Sequence, residues 1–285
     1  MRKGLDFTVN ADVVKFMVEH ALQEDVGPGD ASAVMIADDR SGKGRLITRD
    51  AMVLCGRAWA EFVFSSLAAD INITWNFIDG DALVEGDEIF SITGPLKHIL
   101  TGERVALNFI QLLSATATQT AALVTRIKGC RAKLLDTRKT IPLWRTAQKY
   151  AVVCGGGTNH RMGLYDAVLI KENHVTACGS ISAAVTAAKS THANALPIIV
   201  EVEDFAELKL ALELDIDRIM LDNFSPSQCA EAVAYIAGRM PLEVSGNINI
   251  ANIREYAETG VDYISVGSIT KNIKAIDLSL RLVRA

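Results

Sequence analysis

The feature that most constrains the fold is a repeat in the second part of the chain, where a short apolar strand ends in a polar or small residue and a helical segment follows. From residue 131 onward, six such strand ends can be recognised: Asp136, Lys171, Glu201, Asp222, Ser245 and Gly267. The last four lie 21, 23 and 22 residues apart (222 − 201, 245 − 222 and 267 − 245). Strands and helices alternating at this spacing indicate parallel strands joined by right-handed crossovers.

The number of repeats limits the architecture. Six units are fewer than the eight strands of a full TIM barrel, so we predict an open six- or seven-stranded α/β barrel over residues 111–285. A doubly wound sheet fits the pattern less well, and the spacing alone does not determine closure. The helices expected between the strands cover 142–152, 205–214, 227–237 and 250–258.

The first 110 residues show a different pattern, in which helical and β-rich segments are mixed. Apolar residues at helical spacing cover 9–26, with Asn10 as a candidate N-cap. Strands are predicted at 44–55 and 84–92, residues 71–78 alternate in the manner of a strand, and a short helical segment is predicted at 57–68. We therefore predict an α+β domain over residues 1–110, and we expect the last helix of the chain to pack back onto it.

A long helix is predicted over 101–128, with Thr101 as its cap. Arg104 would then lie in the first turn, where a positive charge opposes the helix dipole. Violations of local rules tend to gather at functional sites, which makes Arg104 a candidate. A side chain that simply reaches solvent explains the same pattern about equally well.

The predicted strand ends offer two kinds of chemistry, because the carboxyl ends of barrel strands meet at one mouth. Arg138, Lys139 and Lys171 suit a ligand with several carboxylates or phosphates. Glu201 and Asp222 suit sugar hydroxyls or Mg²⁺. The small residues at 245–247 and 267–268 offer backbone N–H groups at the position where such barrels commonly bind phosphate.

Each of these features also has a structural explanation. Glu201 and Asp222 could be ion-pair or capping residues, and the glycine-containing strand ends could be ordinary turns. His160 and His174 could be hydrogen-bonded structural histidines. Their joint occurrence at successive strand ends is what favours a site.

Charge is unevenly distributed along the chain. Residues 126–171 contain ten Lys or Arg and two Asp or Glu (10 − 2 = +8), whereas the whole chain carries −5, which leaves −13 for the remainder. A cationic segment in an acidic chain indicates a local anion site rather than a nucleic-acid surface. A solvated basic face is the alternative.

Cysteine usage and hydropathy indicate the compartment. The five cysteines form no CxxC pair, which suggests reduced thiols. Neither a secretory h-region nor a membrane-length apolar run is recognisable. We therefore expect a cytoplasmic protein without membrane or nucleic-acid partners.

The segment 135–174, LDTRKTIPLWRTAQKYAVVCGGGTNHRMGLYDAVLIKENH, resembles the quinolinate phosphoribosyltransferase (nicotinate-nucleotide pyrophosphorylase) family. Further matching strings are LQEDVGPGDAS, ERVALNFIQLLSATAT, VEVE, MLDN, EVSGNI, YAETGVDYISVGSITKN and DLSL. The resemblance covers essentially the whole chain. It implies an N-terminal α+β sandwich-like domain, a C-terminal open α/β barrel, and a homodimer or higher oligomer.

The resemblance also implies an activity and a set of site residues. The reaction would transfer a phosphoribosyl group from phosphoribosyl pyrophosphate to quinolinate with decarboxylation, giving nicotinate mononucleotide, pyrophosphate and CO₂ for NAD biosynthesis, with Mg²⁺ as cofactor. The implied quinolinate ligands are Thr137, Arg138, Lys139, His160, Arg161 and Lys171, with Arg104 donated by the neighbouring subunit. The residues implied at the ribose and Mg²⁺ are Glu201 and Asp222, and those at the 5′-phosphate are Ser245, Gly246, Asn247, Val266, Gly267 and Ser268. Lys139, Lys171, Glu201 and Asp222 would carry the catalysis.

Two departures from the family pattern lie beside these cations. The family usually reads TTPGLR where this chain has TIPLWR at 140–145, and it usually has histidine where this chain has Thr158. A Schiff-base aldolase using Lys171, a related transferase of the same fold such as a molybdenum-associated homologue, and a catalytically silent anion-binding protein remain as alternatives.

Overall fold

The computed structural model describes residues 9–192 and 196–283, which divide into two compact units. Within these ranges, the first unit contains residues up to 121 together with 146–156 and 272–283, and the second contains 122–145 and 157–271. The first unit is thus assembled from three separate segments, whereas the sequence predicted that residues 1–110 form it, with the last helix packed back onto them. No helix in the described ranges is long and apolar enough to cross a membrane.

Helices and strands alternate irregularly in the first part of the chain. The elements in chain order are α1 (Ala11–Val26), a 3₁₀ turn (Ala33–Met35), β1 (Ser41–Thr48), β2 (Met52–Val53), α2 (Arg57–Leu67), β3 (Asn72–Trp75), β4 (Ala82–Leu83), β5 (Glu88–Pro95) and α3 (Leu96–Arg126). Asn10 caps α1, because its side chain accepts a hydrogen bond from the backbone N–H of Asp12.

The second part of the chain repeats strand and helix. In chain order it contains β6 (Lys133–Leu135), α4 (Arg145–Cys154), β7 (Val168–Ile170), α5 (Glu172–Cys178), α6 (Ile181–His192), β8 (Ile198–Val202), α7 (Phe205–Leu212), β9 (Arg218–Asp222), α8 (Pro226–Ile236), β10 (Leu242–Ser245), α9 (Ile253–Glu258), β11 (Tyr263–Ser265), α10 (Ser268–Lys271) and β12 (Leu278–Leu282).

The first unit is built on an antiparallel sheet of strand order β12-β1-β5-β3. Its core is rich in large aromatic side chains that are almost completely buried, Trp59, Phe64, Phe90 and Phe109. The rings of Trp59 and Phe109 stack with their centroids 6.4 Å apart. Burial of such side chains supplies most of the favourable free energy of folding in a unit of this size.

The second unit is built on a parallel sheet of strand order β6-β11-β10-β9-β8-β7. Within the described ranges β6 and β7 are its two edges and do not pair with each other, so the sheet is open, as predicted. The six strands correspond to the six repeats in the sequence. Thr158 extends the β6 edge through an isolated parallel bridge to Leu135.

Four local predictions were wrong. The segment 44–55 is not one strand, because β1 ends at Thr48 and β2 covers Met52–Val53. α3 begins at Leu96 rather than at Thr101, so Arg104 lies two turns inside the helix and the argument from the helix dipole does not apply. The segment 84–92 is not one strand, because Val84 belongs to a turn closed by Asp87 and β5 starts at Glu88. The chain returns to the first unit as a strand, β12, and not as a helix.

Candidate active site

The carboxyl ends of the six parallel strands bring the predicted site residues of the second unit to one edge of the sheet. Read across the sheet from β7, the strand ends are Lys171, Glu201, Asp222, Ser245, Val266-Gly267 and Asp136. For β9 and β10 the strand register shows this alignment of strand ends directly, because Asp222 pairs with Ser245. The cations therefore flank the sheet at its two edges, with carboxylates and small residues between them.

The Asp222 carboxylate is held by two side-chain donors. The Ser245 hydroxyl donates to Oδ1 at 2.8 Å, and the Asn223 amide donates to Oδ2 at 2.7 Å. Each oxygen of a carboxylate can accept more than one hydrogen bond. Asp222 is therefore oriented by its neighbours while retaining capacity for a ligand.

Gly246 is required by the close approach of two strand-end loops. Its φ is +103°, and a Cβ at this position would lie 2.2 Å from Oδ1 of Asn223. The flanking Asn223 and Asn247 also have positive φ, 58° and 50°, a conformation that asparagine tolerates better than most residues. A side chain at 246 would displace the Asn223 amide that orients Asp222.

Gly267 likewise allows a close approach, in this case by the side chain of Lys139. A Cβ at 267 would lie 2.9 Å from Cδ of Lys139 and 3.4 Å from Oγ1 of Thr137. The Thr137 hydroxyl accepts from the Lys139 N–H at 3.1 Å, and the Thr270 hydroxyl donates to the Lys139 carbonyl at 2.8 Å. These two hydrogen bonds fix the backbone of Lys139. Its side chain is exposed, and the ammonium group reaches solvent.

Asp136 organises the loop that follows the triple glycine. It is completely buried, and its carboxylate accepts from the His160 N–H at 2.8 Å and from the Asn159 side chain at 2.6 Å. An ionised carboxylate makes charge-assisted hydrogen bonds that are stronger than neutral ones. Asp136 is therefore a scaffold residue that fixes where His160 and Arg161 begin.

The structure places His160 inside a buried network. Its Nδ1 accepts from the Arg161 N–H at 2.7 Å, and its Nε2 lies 3.4 Å from Oε2 of Glu243. The side chains of His160 and Glu243 are only 7% and 0% exposed, which leaves His160 little surface for direct contact with a ligand.

Glu243 was missed by the sequence reasoning. Its Oε2 also accepts from Arg218 at 2.9 Å, and its Oε1 accepts from the Ser265 hydroxyl. Burial acts to raise the pKa of Glu243, but the donors, His160 foremost, hold that pKa below its ordinary value. The sequence feature that could have identified Glu243 is its place as a carboxylate within the predicted strand LEVS.

Arg161 lies near Arg138, which follows edge strand β6, and near Glu201 on β8, the neighbour of the other edge strand. It donates to the Ala167 carbonyl at 3.0 Å. Burial and the nearby charge of Arg138 lower the pKa of Arg161, and Asp166 and Glu201 partly offset this. Arginine stays protonated under such shifts, so Arg138 and Arg161 form a concentrated positive patch.

Lys171 and Glu201 form an ion pair between the ends of β7 and β8, in which the Lys171 ammonium group donates to Oε2 of Glu201. Lys171 remains partly exposed, whereas the Glu201 side chain is nearly buried. The Lys171 N–H donates to Nδ1 of His174 at 3.0 Å, which fixes the start of α5.

Arg145 is a second residue that sequence reasoning missed. Its guanidinium donates to Oγ1 of Thr140 at 3.2 Å, to the Met162 carbonyl at 3.2 Å and to the Arg138 carbonyl at 3.4 Å. It therefore connects the loop after β6 with the loop that carries Arg161. The forked geometry of arginine suits such multiple contacts.

Arg104 belongs to the first unit and is exposed on α3. The other predicted site residues belong to the second unit.

A further acidic group, Glu203, directly follows β8. Its pKa is raised, chiefly by the charge of Glu172 and also by burial and by the charge of Asp222. Negative charge is thus dense around the ends of β8 and β9.

The chain matches family models over nearly its whole length. The model described as quinolinate phosphoribosyl transferase, N-terminal domain, matches residues 30–114, and the model for the C-terminal domain matches 116–281. Among curated proteins, the probable nicotinate-nucleotide pyrophosphorylase [carboxylating] of Bacillus subtilis is 36% identical over 267 residues, covering 94% of this chain and 92% of the relative. Quinolinate phosphoribosyltransferase [decarboxylating] 1b of Nicotiana tabacum is 36% identical over 289 residues, covering 94% and 82%.

Solved structures agree with these relatives. The nicotinate-nucleotide pyrophosphorylase from Francisella tularensis superposes with a TM-score of 0.94 and 49% sequence identity, covering 97% of this chain and 98% of that one. The nicotinate-nucleotide pyrophosphorylase from Ehrlichia chaffeensis gives a TM-score of 0.91 at 36% identity, covering 94% and 98%.

Proposed function

The chain belongs to the quinolinate phosphoribosyltransferase family, and on that premise we propose that the strand ends of its parallel sheet are the site of phosphoribosyl transfer to quinolinate. The enzyme is a decarboxylating pentosyltransferase of NAD biosynthesis. The observation that carries the assignment of the site is the order of the strand ends, in which cations flank Glu201 and Asp222 along one edge.

The cations provide the binding site for quinolinate. Arg138 and Arg161 lie close enough for the charge of one to lower the pKa of the other, an arrangement that a ligand with two carboxylates would relieve. Lys139 and Lys171 add point charges from the two edge strands. Fixing both carboxylates would align the ring nitrogen for attack, which lowers the entropic part of the barrier.

The carboxylates face the other substrate. Glu201 and Asp222 would lie at the ribose of phosphoribosyl pyrophosphate, where they stabilise the positive charge that develops on the sugar. Asp222 suits this role because Ser245 and Asn223 fix its orientation. The backbone at Ser245-Gly246-Asn247 and at Val266-Gly267-Ser268 would receive the 5′-phosphate.

Two bond changes complete the reaction. The bond between the anomeric carbon and pyrophosphate breaks as the quinolinate nitrogen bonds to that carbon. The nitrogen is then positively charged, so the adjacent carbon–carboxylate bond can break with its electron pair left on the ring. CO₂ leaves, a proton replaces it, and nicotinate mononucleotide results.

The residues present fit Mg²⁺ in part. Asp222 offers hard oxygen ligands with remaining lone pairs, whereas Glu201 is already paired with Lys171. Asp222 would therefore be the principal protein contact, and Glu201 would contribute mainly through the substrate. When bound, Mg²⁺ supplies positive charge against the leaving pyrophosphate.

We also propose that the enzyme acts as a homodimer to which Arg104 of one subunit contributes at the site of the other. Arg104 is exposed in the single chain, and the segment around it, ERVALNFIQLLSATAT, belongs to the family pattern. An anion held by a neighbouring subunit would give this exposed cation a partner.

The direct test is incubation with quinolinate, phosphoribosyl pyrophosphate and Mg²⁺, with CO₂ and mononucleotide measured together. Stoichiometric release of both is expected, and omission of any component should abolish it. Ligand binding without pyrophosphate release would instead favour a silent anion-binding homologue. The aldolase alternative is disfavoured because the Lys171 ammonium group is held by Glu201. Covalent trapping of a carbonyl compound on Lys171 by borohydride would instead support the aldolase.

A further inference from the structure

A cluster of two thiols and a carboxylate lies in the first unit, outside the site described above. The ligand atoms of Cys55, Asp79 and Cys154 lie within 4.8 Å of one another. Cys55 and Cys154 are buried, and Asp79 is partly exposed. Neither the phosphoribosyl transfer nor the substrate sites use these groups.

Three different segments supply the ligands. Cys55 lies between β2 and α2, Asp79 lies in the turn between β3 and β4, and Cys154 is the last residue of α4. The turn is fixed by backbone hydrogen bonds, from the Gly80 N–H to the Leu54 carbonyl at 2.8 Å and from the Leu54 N–H to the Asp81 carbonyl at 2.9 Å.

Cys55 and Cys154 are each held in position by the long helix α3. The Cys55 N–H donates to the Ser114 hydroxyl at 3.0 Å, and that hydroxyl is 3.1 Å from the Cys55 carbonyl. After Cys154, Gly155 allows a close approach, because a Cβ there would lie 2.3 Å from the Ala117 carbonyl. The two sulfur atoms are therefore preset by the fold.

We propose that Cys55, Asp79 and Cys154 bind one thiophilic divalent cation of the Zn²⁺ class. Cysteine thiolates and an aspartate carboxylate are ligand types that tetrahedral Zn²⁺ accepts, and a water molecule would take the fourth position. With Zn–S bonds of about 2.3 Å, tetrahedral geometry places two sulfur ligands roughly 3.8 Å apart. The observed cluster needs only small side-chain movements to reach that spacing.

Metal binding requires the thiols and the carboxyl group to lose their protons. Burial, aided by the neighbouring Cys154 and Asp79, raises the pKa of Cys55, and burial raises the pKa of Asp79 despite the hydrogen bond from Tyr150. The three groups together would carry −3 if ionised, and a divalent cation relieves that repulsion. Arg57, whose N–H donates to Asp79 at 3.3 Å, adds a positive charge that it shares with the half-exposed Glu61.

The cation would stabilise the first unit by linking the β2–α2 connection, the β3–β4 turn and α4. Metal binding to a folded site adds directly to the free energy of unfolding. Catalysis does not depend on it in this proposal, so the test does not need an activity readout.

The test is titration of the full-length chain with Co²⁺ under a non-thiol reductant, in a Cys130→Ser/Cys178→Ser background that removes the two less buried thiols. Visible absorption bands of tetrahedral Co²⁺–thiolate should rise to one Co²⁺ per chain, and added Zn²⁺ should bleach them. Cys154→Ser should abolish the bands, and Asp79→Asn should weaken them.

The matched control is Cys229→Ser, which removes a buried thiol outside the cluster and should leave the bands unchanged. Circular dichroism establishes that each variant is folded. The proposal is overturned if the folded background protein, with its remaining thiols counted as reduced, gives no bands. It is equally overturned if the bands persist in Cys154→Ser, or if Cys55 and Cys154 form a disulfide and bind no metal after its reduction.

Discussion

His160 and Glu243 contact each other across the interior of the second unit, with 3.4 Å between Nε2 and Oε2. The loop that carries Arg161 is thereby tied to the centre of strand β10. The contact connects the buried part of the sheet to the cationic part of the site.

Replacement of Glu243 by glutamine should therefore destabilise the protein by about 1–3 kcal/mol at neutral pH, because buried donors lose their charged acceptor. The folded-state pKa of Glu243 is lowered, so its contribution is fully present above its unfolded pKa of about 4.5 and is lost as pH falls through the lower folded value. Denaturant unfolding of the wild-type protein and of Glu243→Gln should be measured from neutral pH down to the most acidic pH at which both still fold. The difference between their free energies of unfolding should shrink as the pH falls. A difference that is constant with pH would contradict the ionised state of Glu243.

Substrate choice should follow the number of carboxylates. Nicotinate lacks the second carboxylate, so one cation of the Arg138–Arg161 patch would stay unpaired at a cost of about 1–3 kcal/mol. The specificity constant for nicotinate should be roughly tenfold to over a hundredfold lower than for quinolinate. Equal turnover of the two acids would rule out the dicarboxylate assignment.

Lys139→Ala should remove most of the activity and leave thermal stability within a few tenths of a kcal/mol, because the side chain is exposed and its aliphatic part lies beside Gly267. Turnover and the melting temperature are the two measurements. Lys133→Ala, at an exposed lysine on the same β6 segment, is the matched control and should retain activity. Parallel loss of stability and activity in Lys139→Ala would make Lys139 a structural residue.

Leu143 occupies the position where the family pattern has glycine, with φ of 65° and 80% exposure. Leu143→Gly should stabilise the protein by about 0.5–1 kcal/mol, since relief of left-handed strain exceeds the entropy that glycine adds to the unfolded chain. Leu143→Ala retains the strain and serves as control. If both variants shift the unfolding midpoint equally, the backbone at 143 is not strained.

Arg104 allows a test by subunit mixing. Arg104→Ala and Lys139→Ala should each be nearly inactive alone. In a mixed dimer one site receives both defects and the other neither, so random pairing should restore roughly a quarter of wild-type activity. Differential tagging verifies that mixed dimers form. Verified mixed dimers as inactive as the parents would show that Arg104 does not act across the interface.

The parallel sheet could be predicted because each strand end carries a recognisable polar or small residue at regular spacing. The start of α3 could not be predicted, because β5 ends at Pro95 and α3 begins at Leu96 with no loop between them. The sequence could also propose Asp222 and Lys171 as candidate site residues, because each follows an apolar strand. The role of Glu243 could not be predicted, because its partners Arg218, Ser265 and His160 come from other segments and meet only after the strands are aligned.

The pairing of β12 with β1 affects how the protein can be synthesised. Leu282 pairs with Gly44, so the β1 edge of the first sheet stays open on the ribosome until β12 has been translated. An unpaired strand edge is a template for aggregation, and contacts between residues so far apart in sequence form slowly. The nascent chain therefore depends on β12 to cover this edge, and removal of residues 278–283 would leave the β1 edge permanently unpaired.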